Sequence, residues 1–408
     1  MKQFISLEEA VEIVKSNISE LETEYVKITE SLNRTLGEDI HSPLNQPPFD
    51  RSPLDGYAIR SVDSKGVDKE NPKILSVVDT EYAGYVSNII PEENQCIKIT
   101  TGAPIPEGTD CIVKFEDTDE FEDYIRIYKE YKQHQNVCFA GEDFEKGSLM
   151  LGKYTKLTPQ EIGILASMGY QKIKVLKKLK VGVLSTGDEL VDVGNPLDKG
   201  KIYNSNIYTL YGKIMNLGCE PSIEGIVKDN LTDIMDKLKS SMDGNDILIT
   251  TGGVSVGEKD LLMDALLSIG GEVLFWKIDI KPGTPVLCGK FGDKLIICLS
   301  GNPAASSVTF DLLFRPLVSQ LNRRKDLNWK RKSAVFMDDF GKKNGMRRFL
   351  RGRYYIDNKK LYVELTQSSQ QSGVLSSTLN CNCLIDVPRG KKGLEKGEEV
   401  KILTLKEI

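Results

Sequence analysis

Between residues 181 and 320 the apolar positions follow two alternating rhythms. Short, nearly continuous apolar runs predict buried strands near 181–185, 222–227, 247–251, 272–278 and 295–299. Between them, apolar residues recur at three- and four-residue spacing. That spacing predicts helices near 205–217, 230–242, 260–269 and 303–320. Asn302-Pro303 places a cap and a first-turn proline at the last of these. Alternating strand and helix over this length is the pattern of a doubly wound α/β domain.

The flanks read differently. Residues 6–18 predict an amphipathic helix opened by the capping box Ser6-x-x-Glu9, and a second helix is expected near Glu30–Leu36. Residues 60–140 alternate short β-rich runs (KILSVV, QCIKIT, CIVKFED, YIRIYKEY) with Gly, Pro and Asn, which predicts a small β domain. Thr158-Pro159-x-Glu161 opens a helix that Gly169 closes. The lysine-rich run 172–180 alternates like a strand with a solvated face. The polar, basic stretch 322–332 reads as a solvated linker to a C-terminal β barrel built from SAVFM, RRFLRGRYYI, KLYVEL, CLIDVP and EVKILTL. The expected division is therefore 1–46 with 141–177 as a linking helical and β domain, 47–140 as the small β domain, 178–325 as the α/β domain and 326–408 as the barrel.

Three of the predicted strands end alike. VGVLS runs into Thr186-Gly187-Asp188-Glu189, ILIT into Thr251-Gly252-Gly253, and LIICL into Ser300-Gly301-Asn302-Pro303. In a parallel sheet the strand C-termini share one edge, and ligands bind there. Hydroxyls, glycine amides and helix N-termini along that edge suit a phosphate-sized anion. The endings match neither the Walker pattern nor G-x-G-x-x-G. A plain tight turn is the structural alternative for each taken singly. Ile99-Thr100-Thr101-Gly102 repeats the ending within the small β domain.

Six acidic residues fall in loops: Asp55, Asp143, Asp188, Glu189, Asp229 and Asp260. Carboxylates beside a phosphate site commonly hold Mg²⁺, which accepts one or two of them and keeps waters. Asp229 and Asp260 each precede a helical pattern and equally suit N-caps, and Asp55 equally suits a turn. In Phe275–Gly283, Lys277, Asp279 and Lys281 are expected on one face of a strand, with the two lysines as an anion clamp.

Composition narrows the chemistry. The 408 residues carry 40% hydrophobic and 28% charged residues, those of an ordinary soluble globular chain with room for two to four domains. The N-terminus MKQFISLEEA shows no apolar signal region, and no apolar run is long enough to span a bilayer. Eight scattered cysteines, several inside apolar strands, suit reduced thiols in the cytoplasm. Cys381-x-Cys383 lacks a second pair, which argues against a zinc site. With only His41 and His134, histidine-centred catalysis is excluded as the main reading, and a net charge of −5 argues against a nucleic-acid surface.

Together FDRSPLDGYA, TTGAPIPEGTD, STGDEL, TTGGVSVGEKD, KIDIKPGTP and LSGNPAAS resemble, in order, the signature segments of the molybdopterin molybdenumtransferase family, which includes bacterial MoeA and the gephyrin E domain. The resemblance runs from the first helix to the C-terminal β domain. It implies an elongated homodimer of four-domain chains, with the active site between the α/β domain of one protomer and the small β domain of the other. It implies insertion of molybdenum from molybdate into adenylylated molybdopterin, with release of AMP and assistance from Mg²⁺. It gives catalytic positions to Asp55, Thr101, Asp143, Glu189, Lys277 and Lys281, and metal positions to Asp229 and Asp260. Ligand-binding positions are Thr186, Gly187, Asp188, Thr251, Gly252, Gly253, Ser255, Ser300, Gly301, Asn302 and Pro303. Ser300 departs from the family, many of whose members have proline there.

The residues agree with that chemistry. A pyrophosphate needs N–H groups and Mg²⁺, and molybdate, a dianion, needs cations. The ligand brings its own sulfurs, so no cysteine or histidine nucleophile is required. Catalysis would be positioning plus electrostatics. The rival readings are adenylyl transfer to molybdopterin, tungstate insertion, and a non-catalytic scaffold or binding module.

Overall fold

The computed structural model describes residues 1–254, 261–342, 345–367 and 369–407. Ser255 and Asp260, both expected at the site, lie outside the described residues, as does Asn344 of an expected Asn344-Gly345 turn. The chain folds as two compact units. One comprises 1–37, 154–158 and 172–408, and the other 38–153 and 159–171.

The first unit is centred on a seven-stranded sheet. Its strands are β1 (Lys2–Ile5), β2 (Lys180–Thr186), β3 (Glu220–Val227), β4 (Ile247–Thr251), β5 (Glu272–Ile278), β6 (Leu287–Phe291) and β7 (Lys294–Leu299), in the order β1-β5-β6-β7-β4-β2-β3. Strands β3, β2, β4 and β7 are neighbours and parallel. Strand β6 runs antiparallel to both β5 and β7, so the sheet is mixed. Because β2, β4 and β7 are buried along nearly their whole length, their sequences are continuous apolar runs rather than alternating ones.

Helices α1 (Leu7–Ser16), α2 (Ser205–Asn216), α3 (Leu231–Asp243), α4 (Leu262–Ser268) and α5 (Pro303–Leu321) accompany the sheet. Leu7, Ala10 and Val14 of α1, Ile207, Leu210 and Ile214 of α2, and Phe310, Phe314 and Leu317 of α5 share one core with Val181, Ile249 and Ile297. Ile234 and Leu238 of α3 and Leu262 and Leu266 of α4 form the other, with Leu184, Leu248 and Ile296. Alternate residues of one strand thus enter opposite cores, which is how a doubly wound sheet buries both faces. At α1, Ser6 Oγ accepts the Glu9 N–H at 3.1 Å, but the Glu9 carboxylate pairs with Lys2 Nζ at 2.6 Å rather than closing the capping box.

A closed five-stranded barrel ends the unit: β8 (Lys330–Phe336), β9 (Arg347–Asp357), β10 (Lys360–Leu365), β11 (Cys383–Val387) and β12 (Glu399–Thr404). Closure comes from β9 pairing with both β10 and β11. The short strand Ile280–Lys281, just beyond β5, joins the edge of β9 in parallel, with Lys281 in register with Arg348. The second unit holds a six-stranded sheet around Tyr57, Ile59, Leu75, Cys96, Val113 and Ile125, made of the runs read as β in the sequence.

Three local expectations fail and a fourth is shortened. Residues 30–36 form no helix: a 3-10 turn at Ile28–Glu30 ends, Asn33 takes a φ of +64°, and Leu36 is buried as an extended residue bridged to Val175. The left-handed Asn33 stops helical propagation. The run 172–180 does hold a strand with a partly solvated face, but it covers only Lys172–Leu176, paired to Thr23–Lys27, and ends before β2 begins at Lys180. The basic stretch 322–332 is not a solvated linker. Arg324 is 8% exposed, pairs with Asp326 at 2.6 Å and donates to Asn33 O at 3.1 Å. Finally, Lys277 and Lys281 do not share a strand face. Lys277 has a φ of +67°, and β5 stops one residue later, so the two-residue alternation is broken between them.

Candidate active site

Adjacent parallel strands β2, β4 and β7 bring their hydroxyl-glycine ends to one edge. Thr186, Thr251, Gly252, Gly253, Ser300, Gly301, Asn302 and Pro303 line a cavity of about 570 Å³ there. Its remaining wall includes Glu189, Tyr203, Asn204 and Asn206. Asn206 Nδ2 donates to Gly301 O at 2.7 Å, tying the start of α2 to the third ending.

Two of the glycines are dictated by geometry. Gly252 has a φ of +92°, and a Cβ there would meet Thr186 O at 2.3 Å. At Gly253, with a φ of +64°, a Cβ would meet Thr186 Oγ1 at 2.9 Å. The β4 loop therefore lies directly on the end of β2, which only glycine permits.

Beneath the cavity a hydroxyl chain links the strands. Ser185 Oγ and Thr251 Oγ1 lie 2.9 Å apart, and Ser185 Oγ donates to Asn204 Oδ1 at 3.1 Å. Asn204 Oδ1 also caps α2 through the Ile207 N–H at 3.4 Å. Thr186 and Asn204 both line the cavity, and their Oγ1 and Nδ2 atoms are buried without a partner. Buried polar atoms left unbonded cost about 1–3 kcal/mol each, so they point to a polar ligand. The N-terminus of α5 is less open than its sequence suggests, because Ala304 and Ala305 N–H groups already donate to Ser372 O at 2.9 and 3.3 Å. Ser300 Oγ accepts the Asn302 N–H at 3.3 Å and so bridges the turn.

Asp188 and Asp229, in the loops after β2 and β3, face each other. The Asp188 N–H donates to Asp229 Oδ2 at 3.4 Å, and the Asp229 N–H to Asp188 Oδ1 at 3.3 Å. Asp229 is not the cap of α3; Asn230 is, accepting the Asp233 N–H at 3.2 Å. Two carboxylates in facing loops suit Mg²⁺, which takes one or two protein oxygens and completes its shell with water and phosphate. Among the described residues no group of three or more His, Cys, Asp or Glu forms a metal cluster.

A second cavity, of about 420 Å³, adjoins the first through Pro285, Ser300 and Asn302. It carries Lys281, Lys342 and Arg348, with Gln370, Gln371 and Ser372 opposite. The parallel register of Lys281 with Arg348 explains why the two cations meet. Arg348 Nε is buried without a partner, and burial holds the guanidinium below its ordinary pKa. Gly283, at a φ of +94°, lies so close to α5 that a Cβ would reach 1.9 Å from Thr309 Oγ1. Lys277 belongs to neither cavity; its Nζ lies 3.7 Å from the Trp276 ring centroid and 5.2 Å from that of Phe4. Arg348 went unnoticed in the sequence because RRFLRGR reads simply as a barrel strand; Lys342 lies outside that run, between β8 and β9. The signal was the arginine pair itself, charged residues recurring in a strand otherwise built for a core.

In the second unit, Asp55 Oδ1 accepts both the Thr101 N–H at 2.7 Å and the Thr101 hydroxyl at 3.0 Å. These bonds, the backbone one first, hold the Asp55 carboxyl below its ordinary pKa. Asp143 lies elsewhere in that unit, its N–H donating to Gln46 O at 2.9 Å.

Known proteins resemble this chain over nearly its full length. Three family profiles cover the chain in order: MoeA N-terminal region (domain I and II) over residues 5–169, probable molybdopterin binding domain over 182–320, and MoeA C-terminal region (domain IV) over 333–405. The molybdopterin molybdenumtransferase of Bacillus subtilis (strain 168) is 36% identical over 407 residues, 99% of this chain and 94% of that one. The chain belongs to the molybdopterin molybdenumtransferase family. The Haemophilus influenzae molybdopterin molybdenumtransferase is 38% identical over 388 residues, 93% of each chain. The crystal structure of the Pyrococcus horikoshii molybdopterin biosynthesis MoeA protein superposes with a TM-score of 0.86 at 30% identity, covering 99% of this chain and all of that one. The first cavity thus draws all its lining residues but Gly373 from the segment matched by the molybdopterin-binding profile, while the second draws Lys342 and Arg348 from the domain IV segment.

Proposed function

We infer that this chain is a molybdopterin molybdenumtransferase: it acts in molybdenum cofactor biosynthesis, inserting molybdenum from molybdate into adenylylated molybdopterin with release of AMP. Relatives bearing that name match nearly its full length, so adenylyl transfer, tungstate insertion and a purely structural role are not favoured. The observation that carries our reading of how it does so is the pair of adjoining cavities sharing Pro285, Ser300 and Asn302.

In this reading the hydroxyl-glycine cavity takes the adenylylated pterin. Thr186 Oγ1 and Asn204 Nδ2 gain the partners they lack, and Gly187, Gly252, Gly253 and Gly301 let the backbone approach the pyrophosphate. Thr251, Asn302 and Pro303 shape the same surface and Glu189 edges it; Ser255 and Asp188 are proposed as further ligand contacts. Asp229 with Asp188, joined by Asp260, would hold Mg²⁺, which supplies positive charge to the pyrophosphate oxygens. The second cavity takes molybdate, with Lys281 and Arg348 balancing its two charges beside the dithiolene. Lys277, stacked on Trp276, positions the strand that delivers Lys281. Lysine and arginine fixed before the oxyanion arrives need no reorganisation during reaction.

Residues 178–325 carry the pterin site and 326–408 the cationic wall. Residues 47–140 carry Asp55 and Thr101, and 1–46 with 141–177 link these and carry Asp143. The protein is proposed to be a cytoplasmic homodimer in which Asp55, Thr101 and Asp143 of one protomer complete the site of the other.

The test is molybdate-dependent AMP release from adenylylated molybdopterin. Lys281→Ala and Arg348→Met should raise the molybdate requirement about tenfold or more, since each removes a charge-assisted contact worth about 1.5–3 kcal/mol. Affinity for the adenylylated pterin should change less than twofold. Equal losses in both quantities would overturn the division of labour between the cavities.

A further inference from the structure

A third cavity, of about 410 Å³, is enclosed by α2, α5 and the barrel, and shares no lining residue with the two at the strand ends. Helix α5 presents Asp311 and Arg315 to it, α2 presents Lys213, and β9 presents Arg351. Lys406, just past β12, completes the basic lining. Among the described lining residues Asp311 is the one carboxylate, and it is already engaged by Lys213 Nζ and by Arg315 Nε at 2.9 Å.

Arg351 is the unusual member. It is 1% exposed, yet among the described residues no carboxylate pairs with it. Arg351 Nε donates to Ser377 Oγ at 3.0 Å and Nη2 to Gln371 O at 3.1 Å, both neutral acceptors, while Nη1 is buried without a partner. Burial pulls the guanidinium down to about 10, so it remains charged near neutral pH. The neighbouring Cys381 is no counter-ion, because burial pushes that thiol up to about 11. An uncompensated buried cation is among the most costly groups a fold can hold. Four cations against one engaged carboxylate lack negative charge, and the cavity is large enough to admit it.

We propose that this cavity is a binding site for a tetrahedral oxyanion of the phosphate type, held by Arg351 Nη1, Lys406 and the free face of Arg315, separate from the substrate cavities. Inorganic phosphate and a phosphomonoester present the same dianion. The planar arginine donors match its oxygens two at a time, and Lys406 adds a point charge.

The experiment is calorimetric titration of the full chain with inorganic phosphate at constant ionic strength set by chloride. It uses a Lys281→Ala background, so that the substrate-side cations are already weakened. Phosphate should bind saturably with one site per chain in that background. Lys406→Gln should weaken it at least threefold, and Arg351→Met should abolish it. Without phosphate, Arg351→Met should melt no lower than its parent, because a charge lacking its partner has been removed. Ribose 5-phosphate titrated in parallel identifies the source: tighter binding than phosphate places the natural ligand among phosphomonoesters. If Arg351→Met fails to fold, Lys406→Gln decides. No binding in the Lys281→Ala background, or binding that Lys406→Gln leaves unchanged, overturns the proposal.

Discussion

Gly252→Ala tests the contact on which the whole floor of the site depends. The added Cβ would stand 2.3 Å from Thr186 O, more than 1 Å inside the 3.4 Å at which ordinary contact begins. The obstacle is backbone, which cannot rotate away. The φ of +92° adds about 1–2 kcal/mol for any L residue. Overpacking of this kind adds roughly 1–3 kcal/mol more. The total, about 2–5 kcal/mol, corresponds to a fall of roughly 5–15 °C in the melting of a domain of this size. Gly301→Ala is the control: its Cβ would meet Gly252 Cα at an ordinary 3.5 Å, and its φ is not positive. That change should stay within about 1 kcal/mol of the parent. Thermal unfolding followed by circular dichroism reads both. Binding of adenylylated molybdopterin should fall about a hundredfold in Gly252→Ala, as expected when a floor is displaced by an ångström. Equal melting temperatures for the two variants would refute the claim that the β4 loop rests on the end of β2.

Other expectations separate ligand binding from folding. Thr186→Val replaces a buried hydroxyl that has no partner, so stability should hold or rise by up to about 1 kcal/mol while affinity for the adenylylated pterin drops several-fold; a fall in stability above that range would show that the hydroxyl already serves the fold. The Asp55 carboxyl is depressed in the folded state, so its contribution to stability is complete above the unfolded pKa and is lost as pH falls through the folded one. In Thr101→Val the backbone N–H, the larger cause, remains; carbon-detected NMR should find Asp55 still below its ordinary range, and a full return to that range would refute the assignment. For the proposed shared site, Asp55→Ala and Asp260→Ala are each expected to be inactive as pure dimers. After random subunit exchange at equal amounts they should recover roughly a quarter of wild-type activity, because each mixed dimer assembles one intact site. A confirmed exchange that restores none would place each site within one chain.

What the sequence disclosed, and what it hid, follows from the range of the interactions. The three hydroxyl-glycine endings were legible because burial on both faces writes a strand as one apolar run, and the glycines mark where backbone meets backbone. Strand β6 was missed because VLCGK is short and its glycine packs under Leu266 and against β5, a contact invisible locally. Strand β1 was missed because KQFI is four residues, stabilised by pairing with β5 far along the chain. The lysine clamp was misread because alternation along 277–281 assumed an unbroken strand, whereas Lys277 turns left-handed and hands the chain to the barrel edge. Arg348 could be tied to Lys281 only through that edge pairing. The capping question at Asp229 was settled by its neighbour Asn230, which fills the role.

The most direct test of the two-cavity account is the position of the oxyanion itself. Crystals grown with adenylylated molybdopterin and soaked with tungstate, a heavier tetrahedral dianion of the same charge, give an anomalous peak wherever the oxyanion binds. The account predicts a peak between Lys281 and Arg348, beside Ser300 and next to the bound dithiolene. An occupied pterin cavity with the peak elsewhere and none between Lys281 and Arg348 would contradict it.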